Sequence, residues 1–358
     1  MPDVGVIKMK VLHVITGMRK AAGTTVFVEN VMAGLRERGH DVGLCMKFGD
    51  LVRGERPDVV HIHGLWSALL HKASRWAWQN GIPVVWSTHG MSAPWSMRHK
   101  WWKKVLPWYL YQRRDLKRAA AIHCTTDLEM EWNKALGFSN CFVAPLGTQV
   151  RKVERRGGGG ERKEFVVLFV GRIYPVKGLM NLVKAAGIIN REIEKSNNRT
   201  ILLRIVGPDQ NGHMAELKAE IKGLGIGEQG TGNRERGAGV EVVFTGEKYG
   251  EELEREYENC DVLVLPSWTE NFGGVVVDAL AHGKPVIASK FTPWKVLEDE
   301  RCGWWVDNSP ESLAATLKET RACDDVHEMG VRGRKLIEER YSWSAVCEKM
   351  IEAYKSLE

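Results

Sequence analysis

The stretch DVLVLPSWTENFGGVVVDALAHGKPVIAS, residues 261–289, predicts a strand, a loop, a helix and a second strand in close succession. The apolar run DVLVLP leads into a loop that holds Glu270, and Gly273 and Gly274 then precede a helix that carries Asp278. The apolar run KPVIAS follows that helix. Because a strand that returns through a helix to another strand is the repeating unit of a parallel sheet, the stretch predicts an α/β fold.

The same alternation of apolar strands and amphipathic helices runs through the rest of the chain. Further strands are predicted at residues 165–171, 200–207 and 240–246 in the second half. In the first half, the predicted strands are residues 10–16, 41–46, 58–63, 82–88, 120–125 and 141–145, with helical stretches such as 24–38 between them. Strands that alternate with helices predict two Rossmann-like α/β domains.

The segment VRKVERRGGGGERKE, residues 150–164, separates these two halves, because four consecutive glycines among dense charges favour neither a helix nor a strand. We therefore predict an N-terminal domain over residues 1–155 and a C-terminal domain over residues 156–341. Apolar residues recur at helical spacing over residues 342–358, which predicts a helix that returns to the N-terminal domain. Ligands of open α/β sheets bind at the carboxyl ends of the strands, so we expect the functional site in a cleft between the two domains.

The composition argues against several classes of protein. The 358 residues suffice for about two domains, and 27% charged with 44% apolar residues is ordinary globular usage. No apolar run approaches the ~20 residues of a membrane-spanning helix, and the first residues lack the pattern of a signal peptide. Seven scattered cysteines without a C-x-x-C pair predict neither disulfides nor a zinc site, so we expect a cytoplasmic protein.

Gly225, Gly227 and Gly230 match the G-x-G-x-x-G pattern of dinucleotide-binding folds. That pattern needs a strand before it, whereas here a helical stretch, MAELKAEIKG, precedes it. The P-loop pattern G-x-x-x-x-G-K-[ST] does not occur in the sequence. We therefore expect neither a nicotinamide-dependent oxidoreductase nor a P-loop nucleotide hydrolase.

The net charge of +6 is concentrated in the segment HKWWKKVLPWYLYQRRDLKR, residues 99–118, in which seven Lys or Arg residues accompany one Asp. Such a local excess predicts a local anionic partner and argues against nucleic acid bound along the whole protein. The aromatic residues suit the headgroup zone of a membrane, but a helix with its aromatic face in the core explains the pattern equally well. The residues assigned to this membrane or acceptor surface are Trp101, Trp102, Lys103, Lys104, Arg113 and Arg114.

The stretch GRIYPVKG, residues 171–178, places Arg172 and Lys177 between a predicted strand and a predicted helix. A guanidinium and an ammonium at the start of a helix suit a diphosphate, although two ordinary surface cations beside a turn would give the same pattern. Gly273 and Gly274 likewise let a ligand approach the backbone at a second helix start. Together the two stretches favour a ligand that carries phosphate groups.

GRIYPVKG, IVGPD and the stretch 261–289, with DVVHIHGLWS and STHGMSAPW in the first half, resemble the retaining family 4 glycosyltransferases of the GT-B fold, the glycosyl transferases group 1. The resemblance spans nearly the whole chain. It implies two Rossmann-like domains that face each other across a cleft. It also implies a hexosyltransferase that moves a sugar from a nucleotide-diphosphate sugar to a saccharide acceptor, which we expect to be lipid-linked. Such an enzyme would serve surface polysaccharide or lipopolysaccharide synthesis at the inner face of the cytoplasmic membrane.

The resemblance also implies the residues of the site. It assigns Arg172 and Lys177 to the donor diphosphate, Glu270 to the donor sugar and Asp278 to the nucleotide ribose. The implied donor-binding residues are Gly23, Gly171, Arg172, Lys177, Glu270, Asn271, Phe272, Gly273, Gly274 and Asp278. The residues implied in catalysis are His89, Arg172, Lys177 and Glu270. No cofactor is expected and, because no D-x-D motif lies in a usable position, no metal.

Two positions depart from the family pattern. Position 278 is commonly Glu in the family, so the Asp carboxylate is one bond, roughly 1.5 Å, closer to its backbone, and we expect ribose binding to persist. Residues 144–147 read APLG where many relatives have P-N-G. Among the histidines at strand ends, the resemblance puts His89 near the transferred sugar, and we interpret His61 and His63 as structural.

Two other functions stay open at this stage. The protein could be another GT-B enzyme, such as a nucleotide-sugar epimerase or a phosphorylase. It could also be a non-catalytic nucleotide-sugar-binding subunit, in which Asp278 reflects lost activity. The presence of Arg172, Lys177 and Glu270 argues against that loss. The donor nucleotide stays open among UDP, GDP and ADP.

Overall fold

The computed structural model of the protein describes residues 8–18, 23–150, 164–193, 200–228 and 239–357. The chain forms two compact units. The first consists of Met1–Gly147 with Tyr341–Glu358, and the second of Thr148–Arg340. The boundary predicted at residue 155 falls outside the described residues, whereas the first unit ends at Gly147.

The first unit is built on six parallel strands. They are β1 (Lys10–Ile15), β2 (Asp41–Cys45), β3 (Val59–His63), β4 (Val84–Ser87), β5 (Ala121–Cys124) and β6 (Cys141–Val143). Their order in the sheet is β2-β1-β3-β4-β5-β6. All residues of β3 and β4 are buried, as parallel strands are when helices cover both faces of the sheet. Each strand predicted in the first half is present.

Helices connect these strands. They are α1 (Gly23–Glu37), α2 (Phe48–Arg53), α3 (Ala68–Gln79), α4 (Pro94–Arg98), α5 (Trp101–Pro107), α6 (Arg113–Arg118) and α7 (Asp127–Ala135). A π-helical turn, Trp108–Gln112, joins α5 to α6. Pro107 has no amide hydrogen to donate, so the regular helical ladder is interrupted at this point. The basic segment is therefore two short helices with a π turn between them.

The second unit contains seven parallel strands. They are β7 (Glu164–Val170), β8 (Thr200–Val206), β9 (Gly227–Glu228), β10 (Val240–Gly246), β11 (Val262–Leu265), β12 (Val286–Ser289) and β13 (Gly303–Val306). Their order is β13-β12-β11-β7-β8-β10-β9. The sequence analysis did not predict the two edge strands, β9 and β13. Gly227 of the G-x-G-x-x-G match lies in β9 and does not open a helix, and Gly230 lies outside the described residues.

The remaining helices follow in chain order. They are α8 (Leu179–Ile193), α9 (His213–Gly223), α10 (Glu251–Asn259), α11 (Gly274–Ala281), α12 (Val296–Asp299), α13 (Pro310–Ala322), α14 (Val326–Leu336) and α15 (Trp343–Lys355). Among the residues that the structure describes, none of the helices has both the length and the apolar character to cross a bilayer.

The C-terminal helix α15 belongs to the first unit, although it follows the second unit in sequence. It packs on α1, where a Cβ added to Gly34 would lie 2.4 Å from Cys347 Sγ. Its buried face includes Val346, Met350 and Tyr354, which join the core formed by α1 and the sheet. Ser342 caps the helix by accepting a hydrogen bond from Ala345 N.

Candidate active site

In the second unit, the turn after β7 lies directly against the loop after β11. Gly178 has φ +69°, and a Cβ placed on it would lie 1.8 Å from Pro266 O, so only glycine permits this approach. Trp268 N donates to Val176 O over 2.8 Å, and Asn308 Nδ2 donates to Pro266 O over 2.5 Å. The GRIYPVKG stretch and the stretch 261–289 therefore form one continuous surface.

Lys177 and Glu270 meet in this surface. Lys177 Nζ lies 2.5 Å from Glu270 Oε1, and Ser267 Oγ donates to the same oxygen over 2.8 Å. The two charged side chains are 18% and 12% exposed, so the ion pair is largely sheltered from water. A diphosphate would add a second anionic partner to the ammonium, which has three protons to donate. Sequence spacing alone did not predict this direct pair.

Arg172 has a different environment. Its side chain is exposed, and Nη1 donates to Gln210 Oε1 over 2.9 Å. The backbone around it is fixed, since Ile173 N donates to Pro208 O and Gln210 N donates to Ile173 O. Gln210, which follows the IVGPD motif after β8, is a candidate site residue that the sequence analysis missed. Its amide orients a guanidinium that remains accessible to a ligand.

The backbone at the start of α11 has a conformation that suits an anion. Gly273, with φ +84°, precedes the helix, and a Cβ there would lie 2.9 Å from Leu265. Trp294 Nε1 donates to Phe272 O over 2.5 Å, which fixes the chain just before the helix. The first amide groups of a helix have no partner within it, and their dipoles favour a phosphate. Asn271 and Phe272 of the implied donor-binding set lie on the loop that carries Glu270, and Gly274 is the first residue of α11.

Asp278 lies one turn inside α11 and is half-buried. Its Oδ1 accepts a hydrogen bond from Thr148 Oγ1 over 2.8 Å. Burial raises the pKa of Asp278 to about 6, although the bond from Thr148 acts to lower it. Thr148, directly after the APLG residues that depart from the family pattern, is a second partner that sequence reasoning missed. The carboxylate is thus held by a hydroxyl, and its pKa is raised above the ordinary value of an Asp.

In the first unit, five histidines come together within β1, β3 and β5 and just after β4. His13, His61, His63 and His123 are buried, and His89, just after β4, is half-buried. Burial lowers the pKa of His13 to about 3 and that of His89 to about 4. The five rings are therefore neutral near pH 7, since burial also lowers the pKa values of the other three.

Two hydrogen-bonded rows connect these histidines. The Ser87 network consists of Tyr354, His61, Ser87, His123 and the carbonyl of Ala144, with successive separations of 2.7, 2.6, 2.6 and 2.7 Å. The His63 network consists of His13, His63 and His89. Its ring nitrogens are 2.8 Å apart between His13 and His63, and 3.0 Å apart between His63 and His89. His61 and His63, which the sequence analysis interpreted as structural, are both buried, and His63 contacts His89 directly.

Glu129 holds the loop that carries His89. Its buried carboxylate accepts from Thr88 Oγ1 over 2.7 Å and from Gly90 N over 2.5 Å on one oxygen. The other oxygen accepts from Thr125 N and Thr125 Oγ1 over 2.7 and 2.8 Å. Burial acts to raise the pKa of Glu129, but these hydrogen bonds outweigh it and hold the pKa below its ordinary value. Sequence reasoning missed Glu129, because only the fold brings α7 to this loop.

His13, His61 and His63 also bring ring nitrogens within 4.8 Å of one another, which is close enough to consider a metal ion. Every ring nitrogen of the three except His13 Nε2 already has a hydrogen-bond partner. A metal would have to break several of these bonds. The arrangement therefore favours a hydrogen-bond network over a metal centre.

The basic segment of the first unit presents aromatic rings and cations to solvent. Trp101 and Trp102 are each 62% exposed, and Tyr109 is 74% exposed. Arg113 and Arg114 are exposed, whereas Asp115 and Leu116 of the same helix are buried. The alternative interpretation, in which the aromatic face of the segment packs into the core, therefore applies only in part. Among the rings, Trp108 packs against the core of this unit.

Two lysines of the segment contact aromatic rings. Lys103 Nζ lies 4.9 Å from the ring centre of Trp102, and Lys104 Nζ lies 5.8 Å from that of Trp66. Lys104 also donates to Ser96 O, and partial burial lowers its pKa.

Gly23 is the one predicted donor-binding residue in the first unit. It begins α1, and nothing lies within 4 Å of a Cβ placed there.

Two family models match the chain. Residues 150–335 match the model for glycosyl transferases group 1, and residues 43–147 match the glycosyl transferase 4-like domain. The chain is also similar to an uncharacterized glycosyltransferase of Methanocaldococcus jannaschii, with 26% identity over 64% of this chain and 50% of that protein. A D-inositol 3-phosphate glycosyltransferase of Gordonia bronchialis shares 24% identity over 94% of this chain and 76% of that protein. The match therefore spans about half the length of the Methanocaldococcus relative.

Solved structures show a similar architecture. The TM-score is 0.71 with HepE of Anabaena in complex with UDP and glucose, at 16% identity over 97% of this chain and 100% of that chain. It is 0.74 with a glycosyltransferase of Rickettsia africae, at 15% identity over 98% of this chain and 99% of that chain. These similarities show the GT-B fold, which consists of two α/β units, each built on a parallel sheet. Because the group 1 model covers more than half of the chain, the protein belongs to the glycosyl transferases group 1 family.

Proposed function

We propose that this protein is a retaining glycosyltransferase that moves a sugar from a nucleotide-diphosphate sugar to a saccharide acceptor. The observation that carries the proposal is the Lys177–Glu270 pair beside the start of α11. It combines a cation for a diphosphate, a carboxylate for sugar hydroxyls and a helix start for a phosphate within one surface. The similar structure of HepE is a complex with UDP and glucose, which supports a donor of this class.

The transfer step requires stabilisation of charge on the departing diphosphate. Lys177, Arg172 and the first amides of α11 are the groups that supply it, and preorganised donors of this kind are worth about 3 kcal/mol each. Asp278 would accept hydrogen bonds from the ribose hydroxyls, and Glu270 would contact the sugar. We propose that these fixed cations replace a divalent metal, so activity should survive an excess of chelator.

The first experiment is a binding and turnover panel. Thermal shift and calorimetry with UDP, GDP, ADP and their sugars would identify the donor nucleotide, and NMR of the product would give the anomeric configuration. Transfer with retention is the expected result, and an inverted product would contradict the retaining mechanism. Donor binding without turnover would instead indicate a non-catalytic binding subunit. Conversion of the donor into its epimer would indicate an epimerase.

We further propose that the acceptor is lipid-linked and that the basic segment contacts an anionic membrane that presents it. Exposed Trp101, Trp102 and Tyr109 supply rings for the headgroup zone, and the neighbouring cations supply attraction of about 1 kcal/mol each. Such contact would place the enzyme at the inner face of the cytoplasmic membrane, in surface polysaccharide or lipopolysaccharide synthesis.

Vesicle sedimentation tests this contact. The test variant replaces Lys103, Lys104, Arg113 and Arg114 with Gln, and the matched control replaces the exposed Lys290, Lys318, Lys335 and Lys349 with Gln. Wild type and control should bind vesicles that contain phosphatidylglycerol in a salt-sensitive manner, and the test variant should lose at least roughly tenfold in affinity. Equal binding of both variants would show that the segment is only a solvated surface.

A further inference from the structure

The hydrogen-bond directions of the Ser87 network follow from its ends. The carbonyl of Ala144 can only accept, so His123 Nε2 carries a proton and His123 Nδ1 is an acceptor. Ser87 Oγ has one proton, which it donates to His123 Nδ1, so His61 Nε2 must donate to Ser87 Oγ. His61 Nδ1 therefore accepts the hydroxyl proton of Tyr354. The tautomers of His61 and His123 are both fixed with the proton on Nε2.

The His63 network could in principle run in either direction. If His89 Nε2 donated to His63, then His63 would donate to His13 Nδ1, and His13 Nε2 would carry a proton. That atom is buried and has no hydrogen-bond partner among the described residues. In the opposite direction His13 Nε2 is a bare lone pair, and a buried unpaired acceptor is less unfavourable than a buried unpaired N–H. The network therefore runs from His13 Nδ1 to His63 Nε2, and from His63 Nδ1 to His89 Nε2.

This direction decides which atom of His89 carries its proton. Because Nε2 accepts from His63, the one proton of the neutral ring is on Nδ1. The backbone of His89 is also fixed, with φ +47° between Thr88 and Gly90, and both neighbours donate to Glu129. A non-glycine residue in this region is strained and is kept only where its surroundings determine it. His89 is therefore held both in position and in tautomer.

We propose that His63, supported by His13, is a positioning residue that keeps His89 as an Nδ1–H donor for a hydroxyl oxygen of the bound sugar. The other tautomer would place a lone pair on Nδ1, which can accept a hydrogen bond from a sugar hydroxyl but cannot donate one to its oxygen. The tautomer assignment depends only on contacts within the first unit. The role toward the sugar rests on the proposed function.

NMR of protein labelled with ¹⁵N in histidine tests the tautomers directly, because long-range proton correlations distinguish Nδ1–H from Nε2–H rings. At pH 7.5 the wild type should show His89 as Nδ1–H, and His61 and His123 as Nε2–H. The spectrum of His89→Gln identifies the His89 signals. A wild-type His89 with its proton on Nε2, or with both nitrogens protonated, would overturn the proposal.

Two substitutions of similar size separate the partners of His63. In His63→Asn the side-chain amide replaces the Nδ1 side of the ring, so the donor to His89 is kept. In His63→Gln the amide replaces the Nε2 side, so the contact with His13 is kept and the donor to His89 is lost. His89 should stay Nδ1–H in His63→Asn and become a mixture of tautomers in His63→Gln. His327→Gln, at an exposed histidine of α14, should leave the His89 signals unchanged.

Transfer kinetics test the role toward the sugar. The kcat of His63→Gln should fall roughly tenfold below that of His63→Asn, with a smaller difference in KM. Equal kcat values, despite altered His89 signals, would overturn the role while the tautomer assignment stands. If His89 stayed Nδ1–H in His63→Gln, the positioning role of His63 would be overturned. If added zinc shifted the signals of His13, His61 and His63, the cluster would be a metal site and the proposal would also be overturned. Failure of the proposed function is distinct, because the wild type would then transfer no sugar.

Discussion

The two units differ in the polar groups of their candidate sites, which are charged in the second unit and neutral in the first. In the second unit, Lys177 and Glu270 form a charged pair in the loops that follow β7 and β11, where both remain partly exposed. In the first unit, neutral histidines share protons in networks that are largely buried. A charged pair can exchange partners with an anionic ligand, whereas a neutral network with fixed proton directions can only present donors and acceptors. A centre of the first kind would suit an anionic ligand, and a centre of the second kind would suit an uncharged polar ligand.

The charged centre should respond most strongly to removal of its cation. We expect Lys177→Ala to weaken binding of the nucleoside diphosphate by roughly ten- to a hundredfold and to slow transfer at least as much, because a charge-assisted bond is lost and Glu270 loses its neighbouring cation. Calorimetry with the diphosphate and the free nucleoside measures this, with Lys290→Ala as the control. An equal loss for nucleoside and diphosphate would show that Lys177 does not bind the phosphates.

The buried carboxylate of the first unit should matter mainly for stability. Glu129→Gln replaces an acceptor of four hydrogen bonds with an amide that carries two competing protons, so the free energy of unfolding should fall by about 3 kcal/mol. Because the folded-state pKa of Glu129 is lowered, its stabilisation is present above its ordinary pKa and is lost as the pH falls through the folded-state value. Denaturant unfolding at pH 7 and at a series of pH values below 4.5 measures both effects. Glu131→Gln, exposed on the same helix, should be nearly neutral.

Asp278 in the second unit should show the opposite pH dependence. Its folded-state pKa of about 6 lies above its ordinary value, so this residue favours the folded state as the pH falls from 6 towards 4. If Asp278 binds the ribose as proposed, the hydroxyls favour its ionised form, so donor affinity should fall by up to about tenfold between pH 7.5 and pH 5. A nucleotide sugar is the correct probe, since it has no terminal phosphate that ionises near pH 6. Persistence of the same pH dependence in Asp278→Asn would exclude Asp278 as its source.

The smallest effect is expected at Gly23. No atom lies within 4 Å of a Cβ at this position, so Gly23→Ala should change the free energy of unfolding by less than about 1 kcal/mol. Gly178→Ala is the matched comparison, because its Cβ would lie 1.8 Å from Pro266 O. Thermal unfolding and donor titration of both variants would show whether the predicted donor-binding glycines differ in role. A large loss of donor affinity in Gly23→Ala alone would indicate close approach of the donor at this helix start.

Sequence patterns were sufficient to predict the strands other than β9 and β13, together with the two stretches that form the surface in the second unit, because each apolar run and the glycines and cations that follow it lie close together in sequence. They could not predict that Asp278 bonds to Thr148, since 130 residues separate the two. The histidine networks depend on the strand order, in which β1 lies between β2 and β3 and places His13 opposite His61. Hydrophobic periodicity does not specify that order. The interruption at Pro107 was also missed, because the amphipathic pattern continues through it.

The packing of α15 on α1 has a consequence for synthesis on the ribosome. Residues 341–358 emerge after the whole second unit, yet Tyr354 completes the hydrogen bonding of His61 and fills the core beside α1. The second unit can therefore reach its native state first, while the first unit waits with an apolar groove and an unpaired buried ring nitrogen. During that interval the first unit, although most of it precedes the second unit in sequence, is exposed to aggregation and to chaperones.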